Sequence, residues 1–506
     1  MPEQRASVPM PVPAPLEAYA CAYDDLFYTV IQRRRFREYL AGLLLPRDRN
    51  KTLTALVGAE PITQAQTAPV QQLQWFLSES AWEAEAVNAR RIARLQAEAE
   101  TAAHAGGVLV LDETGDRKDG TKTAHVARQY LGSVGKIANG IVAVTSLWAD
   151  ARHYYPLHVR PYTPAGRLPG GKHHPAFRTK PQLAAELVTA ARAAGIPFRA
   201  AVADSLYGEN EEFERALRDA RVPFVLALKP SHGIWAPEAE AHSPQEAAQR
   251  LRWRDAAHPG DWTPVVRRFR DGHEETWWAA ELTVRGYGPE RPTRLVVATT
   301  EPARLPASST WYLVTNLPRP RAADAMAPEW PPADLAELVR LYGLRQWVEQ
   351  GYKQVKQELG WADFQVRSDR AIRRHWYLVC CAFAFCWWAE VHATAGPAGS
   401  DPAAEPAGAA LPAGEQGAGE KGRRHRAGSS AHPTAAHGAG ARVCVLALLA
   451  AGAPVCPELA RSLAVRSPHV AGVVPTPATA SPARAPRRRH QRAAAVSLPP
   501  TLTKYR

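Results

Sequence analysis

The sequence predicts an α/β protein, a mixed sheet with flanking helical layers behind a helical N-terminal part. Three observations carry this. Two short apolar runs, VLVL at Val108–Leu111 and the AAVA of RAAVAD, lead into Asp112 and Asp204 and read as buried strands. An amphipathic helix, Lys180–Ala194, lies between them. A fifteen-residue helical run, Tyr342–Lys356, follows the last strand pattern.

Residues 1–15 are Pro-rich and expected to be disordered. Residues 16–105 are helical in pattern: Tyr23–Leu45 with its Arg33, Arg34 and Arg35 cluster, then Lys51–Gly58, Val70–Leu77 and Trp82–Glu100. Two short helices around a Pro-containing connection fit a helix-turn-helix DNA reader, and equally an ordinary small bundle. Residues 106–230 change period. VLVL is a strand ending at Asp112, and Gly140–Asp150 and His153–Tyr162 are strands joined by a tight turn near Ala151. A helix over Asn210–Ala220 and a strand in PFVLALK complete a mixed sheet. Residues 231–308 interrupt it with TPVVRRF, TWWAAELTV and TRLVVATT, expected as a β-rich insertion. Residues 309–390 return to the core with strand Trp311–Leu317, the Tyr342–Lys356 helix and the apolar helix Trp376–Glu390.

Residues 391–506 collapse into Ala, Pro, Gly and Arg, with no Trp or Phe after Trp388. Such a segment cannot bury enough apolar surface to fold alone. A disordered basic tail and a stretch translated out of frame both fit, and the reading frame of the DNA distinguishes them.

The 506-residue chain carries a formal charge of +13, usually the mark of a polyanionic partner. Residues 391–506 supply +9 of it, so the body is close to neutral and any nucleic-acid surface there is local. Six cysteines without a CxxC pair exclude a disulfide framework and suit a reducing cytoplasm. The start, MPEQRASVPMPVPAP, has no apolar h-region, and the longest apolar run, Trp376–Ala389, is too short to span a bilayer. Neither a secretory signal nor a membrane partner is expected.

At about 100° per residue, Tyr342, Arg345, Glu349, Tyr352, Lys353 and Lys356 fall within roughly a 100° arc of one helix. Leu341, Leu344, Val348, Val355 and Leu359 form the adjoining apolar stripe. A carboxylate among cations and phenols suits a site where a metal and a phosphate meet, while a salt-bridged surface face explains the same spacing. Asp112 and Asp204 at strand ends lie where α/β sheets form ligand sites, although Asp is also common there as a cap. Three converging carboxylates imply a divalent cation, and oxygen-only ligands favour Mg²⁺ or Mn²⁺ over zinc.

Glu113, Asp116 and Asp119 are expected to turn away into solvent. Trp277 and Trp278 fit core packing or base stacking. Lys122, Arg128 and Lys353 are phosphate contacts or surface cations, and His173 and His174 are loop residues.

VLDETG, VADSLYGEN and the Y-x2-R-x3-E-x6-K spacing at Tyr342, Arg345, Glu349 and Lys356 together resemble the DDE transposases of bacterial insertion sequences. The last is the signature of the insertion-sequence-four clan, and the surrounding text is most similar to the insertion-sequence-seven-hundred-and-one group. The resemblance spans roughly Arg33–Glu390, including RDRNKTLTALVGAE and LQWFLSESAW. It implies a ribonuclease-H-like core with an insertion between the second Asp and the Glu. It also implies Asp112, Asp204 and Glu349 as the catalytic, metal-binding triad for two Mg²⁺ or Mn²⁺ ions. Arg345 and Lys356 are then DNA-phosphate contacts and Tyr342 a contact to the transposon-end backbone. The implied partners are the terminal inverted repeats and target DNA, bound by a homodimer at the bacterial nucleoid. A catalytically impaired DNA-binding remnant and a structure-specific nuclease of related fold are the rival classes.

Overall fold

The computed structural model describes residues 12–269, 271–285, 293–320 and 329–394. The tail beyond residue 394 and residues 1–11 lie outside the described residues.

The chain opens with α1 (Ala14–Cys21), α2 (Val30–Leu44), α3 (Leu53–Leu56), α4 (Ala68–Ser78) and α5 (Ala84–Ala97). A reciprocal capping box starts α2: Thr29 Oγ1 accepts from Gln32 N–H while Gln32 Oε1 accepts from Thr29 N–H. The next elements are β1 (Val108–Arg117), β2 (Ala127–Leu131), β3 (Lys136–Ala149), β4 (Tyr154–Tyr162), α6 (Lys180–Ala193), β5 (Ala200–Ala203), α7 (Ser205–Gly208), α8 (Glu211–Asp219) and β6 (Phe224–Ala227). Then come α9 (Pro244–Gln249), β7 (Thr263–Arg268), β8 (Glu274–Val284), β9 (Thr293–Thr299), β10 (Thr310–Thr315), α10 (Leu335–Gly343), α11 (Gln346–Gln357) and α12 (Asp369–Thr394).

The strands form one ten-stranded mixed sheet in the order β2-β3-β1-β5-β6-β10-β9-β8-β7, with β4 paired to the second half of β3. β1, β5 and β6 are parallel neighbours, and the remaining pairs are antiparallel. This is the mixed sheet with flanking helices of a ribonuclease-H-like fold. The strands of residues 231–308 form as expected but do not stand apart. β9 pairs with β10, so β7, β8 and β9 extend the central sheet itself. Their buried residues Leu282, Val284, Leu295, Val296 and Val297 join the same apolar core.

Successive residues of β1 face opposite sides of the sheet. Asp112 meets Arg345 at the joint of α10 and α11, whereas Glu113 meets Lys180 at the start of α6. The α10–α11 pair and α6 therefore cover opposite faces around β1.

The N-terminal helices share the core with the sheet and α12. Two buried arginines fasten them. Arg91 donates to the carbonyls of Pro156 and Leu157 and to Asn88 Oδ1, joining α5 to β4. Arg374 on α12 donates to the carbonyls of Leu77, Ser80 and Trp82. Buried charge is tolerated only when it is hydrogen-bonded in this way. Cys380, Cys381 and Cys386 are buried in α12 as small apolar side chains. Among the described residues no helix is long and apolar enough to cross a membrane.

Candidate active site

β1 does not end at Asp112. It continues in register with β3 through Arg117, pairing Asp112 with Thr145 and Asp116 with Ile141. Asp112 thus lies mid-strand, one residue beyond the last β1–β5 pair, Leu111–Ala203. Asp204 follows Ala203 and caps α7, its Oδ1 accepting from Leu206 N–H at 3.0 Å. The two aspartates are therefore side by side where parallel β1 and β5 diverge, the usual place for a site in such sheets. Gly208 ends α7 against β6, where a Cβ would stand 2.0 Å from the Ala227 carbonyl oxygen, so only glycine lets the Asp204 turn sit this close.

The expected single helix over Tyr342–Lys356 is two helices. α10 ends at Gly343, α11 begins at Gln346, and tight i→i+3 bonds from Arg345 N–H to Tyr342 O and from Val348 N–H to Arg345 O turn the joint. Arg345 is the joint residue. Its Nη2 lies 2.7 Å from Asp112 Oδ2 and 3.7 Å from Asp204 Oδ2, and its Nη1 lies 3.5 Å from Glu349 Oε1. One guanidinium thus touches all three acids. Asp112 is 8% exposed, whereas the Glu349 side chain is 74% exposed. The adjoining stripe of Leu341, Leu344, Val348, Val355 and Leu359 is buried, as its spacing predicts.

Burial pushes the Asp112 carboxyl up to about 7, the positive charge of Arg345 opposing the rise and nearby Asp204 adding to it. Burial works against the charge of Arg345, but the acids, Asp112 foremost, outweigh it and hold the guanidinium above its ordinary value. Tyr342 is buried beside this cluster with its ring edge-on to Trp311, centroids 5.0 Å apart, and burial raises its phenol to about 12. Trp277 is buried against Trp311 with Arg267 over both rings, so it serves core packing.

Lys356 lies farther along β1. Its Nζ donates to Asp116 Oδ1 at 2.7 Å and to the Gly115 carbonyl at 2.9 Å. Four residues of strand separate Asp112 from Asp116, roughly 13 Å. The expectation that Glu113 and Asp116 turn away into solvent is incorrect, because the strand carries on, burying Asp116 and pairing a half-buried Glu113. Asp116 is 5% exposed. Glu113 accepts from Lys180 Nζ and Tyr207 Oη, both at 2.7 Å, and so clips the Asp204 turn to the Asp112 strand. Asp119 is exposed, as are Lys353, Lys122 and Arg128. Thr145 and Tyr352, hydroxyl to hydroxyl at 2.5 Å, close the floor beside Asp112. The period-two placement of Asp112, Thr114 and Asp116 was the available signal for this polar face.

Among the described residues, no group of three His, Cys, Asp or Glu is arranged as a ready metal cluster. The cation between the carboxylates is Arg345. The donor set nevertheless suits a hard divalent ion. It is all oxygen, and both aspartates reach one point occupied by a single nitrogen. Burial above all, and then the neighbouring Asp204 charge, hold the Asp112 carboxyl up, so positive charge beside it favours its ionised form.

A ribonuclease-H-like sheet with acids converging beside the β1–β5 divergence defines a phosphoryl-transferring nuclease class. The chain belongs to the DDE superfamily of endonucleases, in the insertion-sequence transposase group. The family described as "DDE superfamily endonuclease" matches residues 26–285, which hold Asp112 and Asp204. The chain is also 33% identical over 356 residues to the "Probable transposase for insertion sequence element IS701" of Microchaete diplosiphon, covering 69% of this chain and 81% of that protein. Enzymes of this superfamily use divalent metal ions and act on DNA.

Proposed function

We propose that the protein cleaves the ends of its insertion sequence and joins the freed 3′-hydroxyls to target DNA in a metal-dependent reaction. The observation that carries this reading is the contact of Arg345 with Asp112, Asp204 and Glu349 together. Acids brought to one place from β1, the cap of α7 and α11 have no structural need for one another.

Asp112, Asp204 and Glu349 would hold the metal, two Mg²⁺ or Mn²⁺ ions, which when bound supply charge to the attacking and leaving oxygens of an in-line phosphoryl transfer. Asp112 and Asp204 are fixed by strand and cap. Glu349, exposed on the first turn of α11, closes the set from the solvent side. Arg345 neutralises the acids before substrate arrives and then serves a DNA phosphate. Lys356 contacts the backbone farther along β1, and Tyr342 lines the same side. Residues 16–105 read the terminal inverted repeats, with Gln71, Gln72 and Gln74 exposed on α4 as adenine-reading side chains. A homodimer holds two ends, and the setting is the bacterial cytoplasm.

The test is purified protein with Mg²⁺ and a duplex ending in the element's own repeat. Joining of the cut end to a second duplex is the expected result. Cleavage without joining would indicate a structure-specific nuclease, and a bound complex without cutting a DNA-binding remnant.

A further inference from the structure

The far end of the β2–β3 hairpin, from β2 to the first residues of β3, has no part in the site described so far. β2 is the terminal strand of the sheet, and it pairs with the first residues of β3, Tyr130 opposite Ile137 and Arg128 opposite Asn139. One face is anchored. Leu131 is fully buried, and its side chain occupies the space where a Cβ on Gly115 would stand. The other face is open. Tyr130 and Ile137 are 57% and 60% exposed, and Val134 at the turn is exposed as well. An exposed aromatic–aliphatic pair on an edge ribbon calls for a partner.

The charge on the ribbon says which partner. From Gly120 to Ala149 the sequence contains no Asp or Glu, yet it carries Lys122, Arg128 and Lys136. All three are exposed; Arg128 shares the open face with Tyr130, and Lys136, paired opposite Leu131, projects from the other side of the ribbon at its end. The position is equally specific. Ser133 Oγ in the hairpin turn donates to the Gly115 carbonyl at 2.5 Å, the same carbonyl that accepts Lys356 Nζ at 2.9 Å. The hairpin thus continues the path from Asp112 past Lys356 along β1.

We propose that the β2–β3 hairpin is a DNA-gripping arm, with Arg128 and Lys136 on phosphates and Tyr130 and Ile137 against sugars or bases of duplex lying beyond Lys356. A two-stranded ribbon fits a DNA groove, and cations interleaved with an aromatic suit a sugar-phosphate surface. The inference rests on the transposase reading. The duplex is the element's own end, because the arm continues the line that runs from Asp112 past Lys356.

The experiment compares the full-length protein with Arg128→Ala/Lys136→Ala and with the charge-keeping Arg128→Lys/Lys136→Arg. Binding is measured over a salt series on a repeat-bearing duplex and on a random-sequence duplex of equal length, followed by end cleavage and joining. Each phosphate contact contributes about 0.9 to the slope of log affinity against log salt, so the alanine pair should flatten the slope by about two and weaken binding roughly tenfold or more. The charge-keeping pair should bind like the parent. Loss confined to the repeat duplex with slower cleavage assigns the arm to the element's end. Loss on random duplex with normal cleavage and slower joining would place target DNA there and overturn the assignment to the element's end. If the parent cleaves and joins while the alanine pair has unchanged affinity, slope and joining, the arm is wrong and the transposase reading stands. Unchanged DNA binding with an altered solution mass would make the hairpin a contact between copies and likewise overturn the proposal. A parent that neither cleaves nor joins overturns the transposase reading instead.

Discussion

Lys356 Nζ lies 2.7 Å from Asp116 Oδ1, so a cation expected to serve DNA is held by a carboxylate almost without solvent. Removing one partner of such a pair strands the other, at about 3–5 kcal/mol. Lys356→Met should therefore unfold at distinctly lower urea and bind DNA less well. Asp116→Asn/Lys356→Met should regain most of the stability without regaining DNA affinity. If affinity returns with stability, Lys356 is a structural residue and not a phosphate contact.

The acid cluster makes a sharper demand. Asp112→Asn and Glu349→Gln should each abolish end cleavage and leave binding of the repeat duplex within a few-fold of the parent. Gel-shift and cleavage assays on the same preparations read both quantities. A variant that still cuts at the parental rate would remove that acid from the catalytic set.

Arg345 and a metal ion compete for the same oxygens. At about 4 Å and an effective dielectric of about 20, a unit charge interacts by ~4 kcal/mol, so removing one has a large effect. Arg345→Gln should bind Mn²⁺ more tightly in the absence of DNA, by tenfold or more in a paramagnetic titration, and Arg345→Lys should fall between. Unchanged Mn²⁺ affinity in Arg345→Gln would show that the guanidinium does not guard the acids.

His375 gives a pH signature far from that site. It is wholly buried on α12, with Nδ1 meeting Tyr39 Oη at 2.8 Å and Nε2 meeting the Gly360 carbonyl at 3.1 Å. Burial lowers it from 6.5 to about 4. The unfolded chain then binds a proton between these values that the folded chain does not, so stability rises with pH across this window and is lost as pH falls. The loss by pH 4 is on the order of 3 kcal/mol. His375→Gln should flatten urea-derived stability against pH between about 4 and 6.5 by one proton. An unchanged slope would show that His375 is not the group responsible.

Much of this was legible in the sequence because it was local. Apolar runs gave β5, β6, β10 and α12, and periodicity gave α2, α4, α5, α6 and α8, while the acids at the ends of two of those runs marked where to look for a site. What stayed hidden depends on partners far along the chain. DETGDR looks like a turn because its polar residues resemble loop residues. It is strand because Lys356 neutralises Asp116 and because Lys180 and Tyr207 satisfy Glu113. The break at Leu344–Arg345 had one local mark, Gly343 at the end of α10, which a helical reading of the whole run passes over. It exists where Arg345 must turn toward Asp112 while Leu341 and Val348 both remain in the core.

The attachment of β9 to β10 constrains how this protein can be shortened. Excising residues 231–308 to obtain a smaller enzyme would leave Leu313 and Val314 on a strand with a bare hydrogen-bonding rim. Such a rim recruits other chains. The trimmed protein would emerge as insoluble aggregate, and any useful miniature would need a new edge designed onto β10.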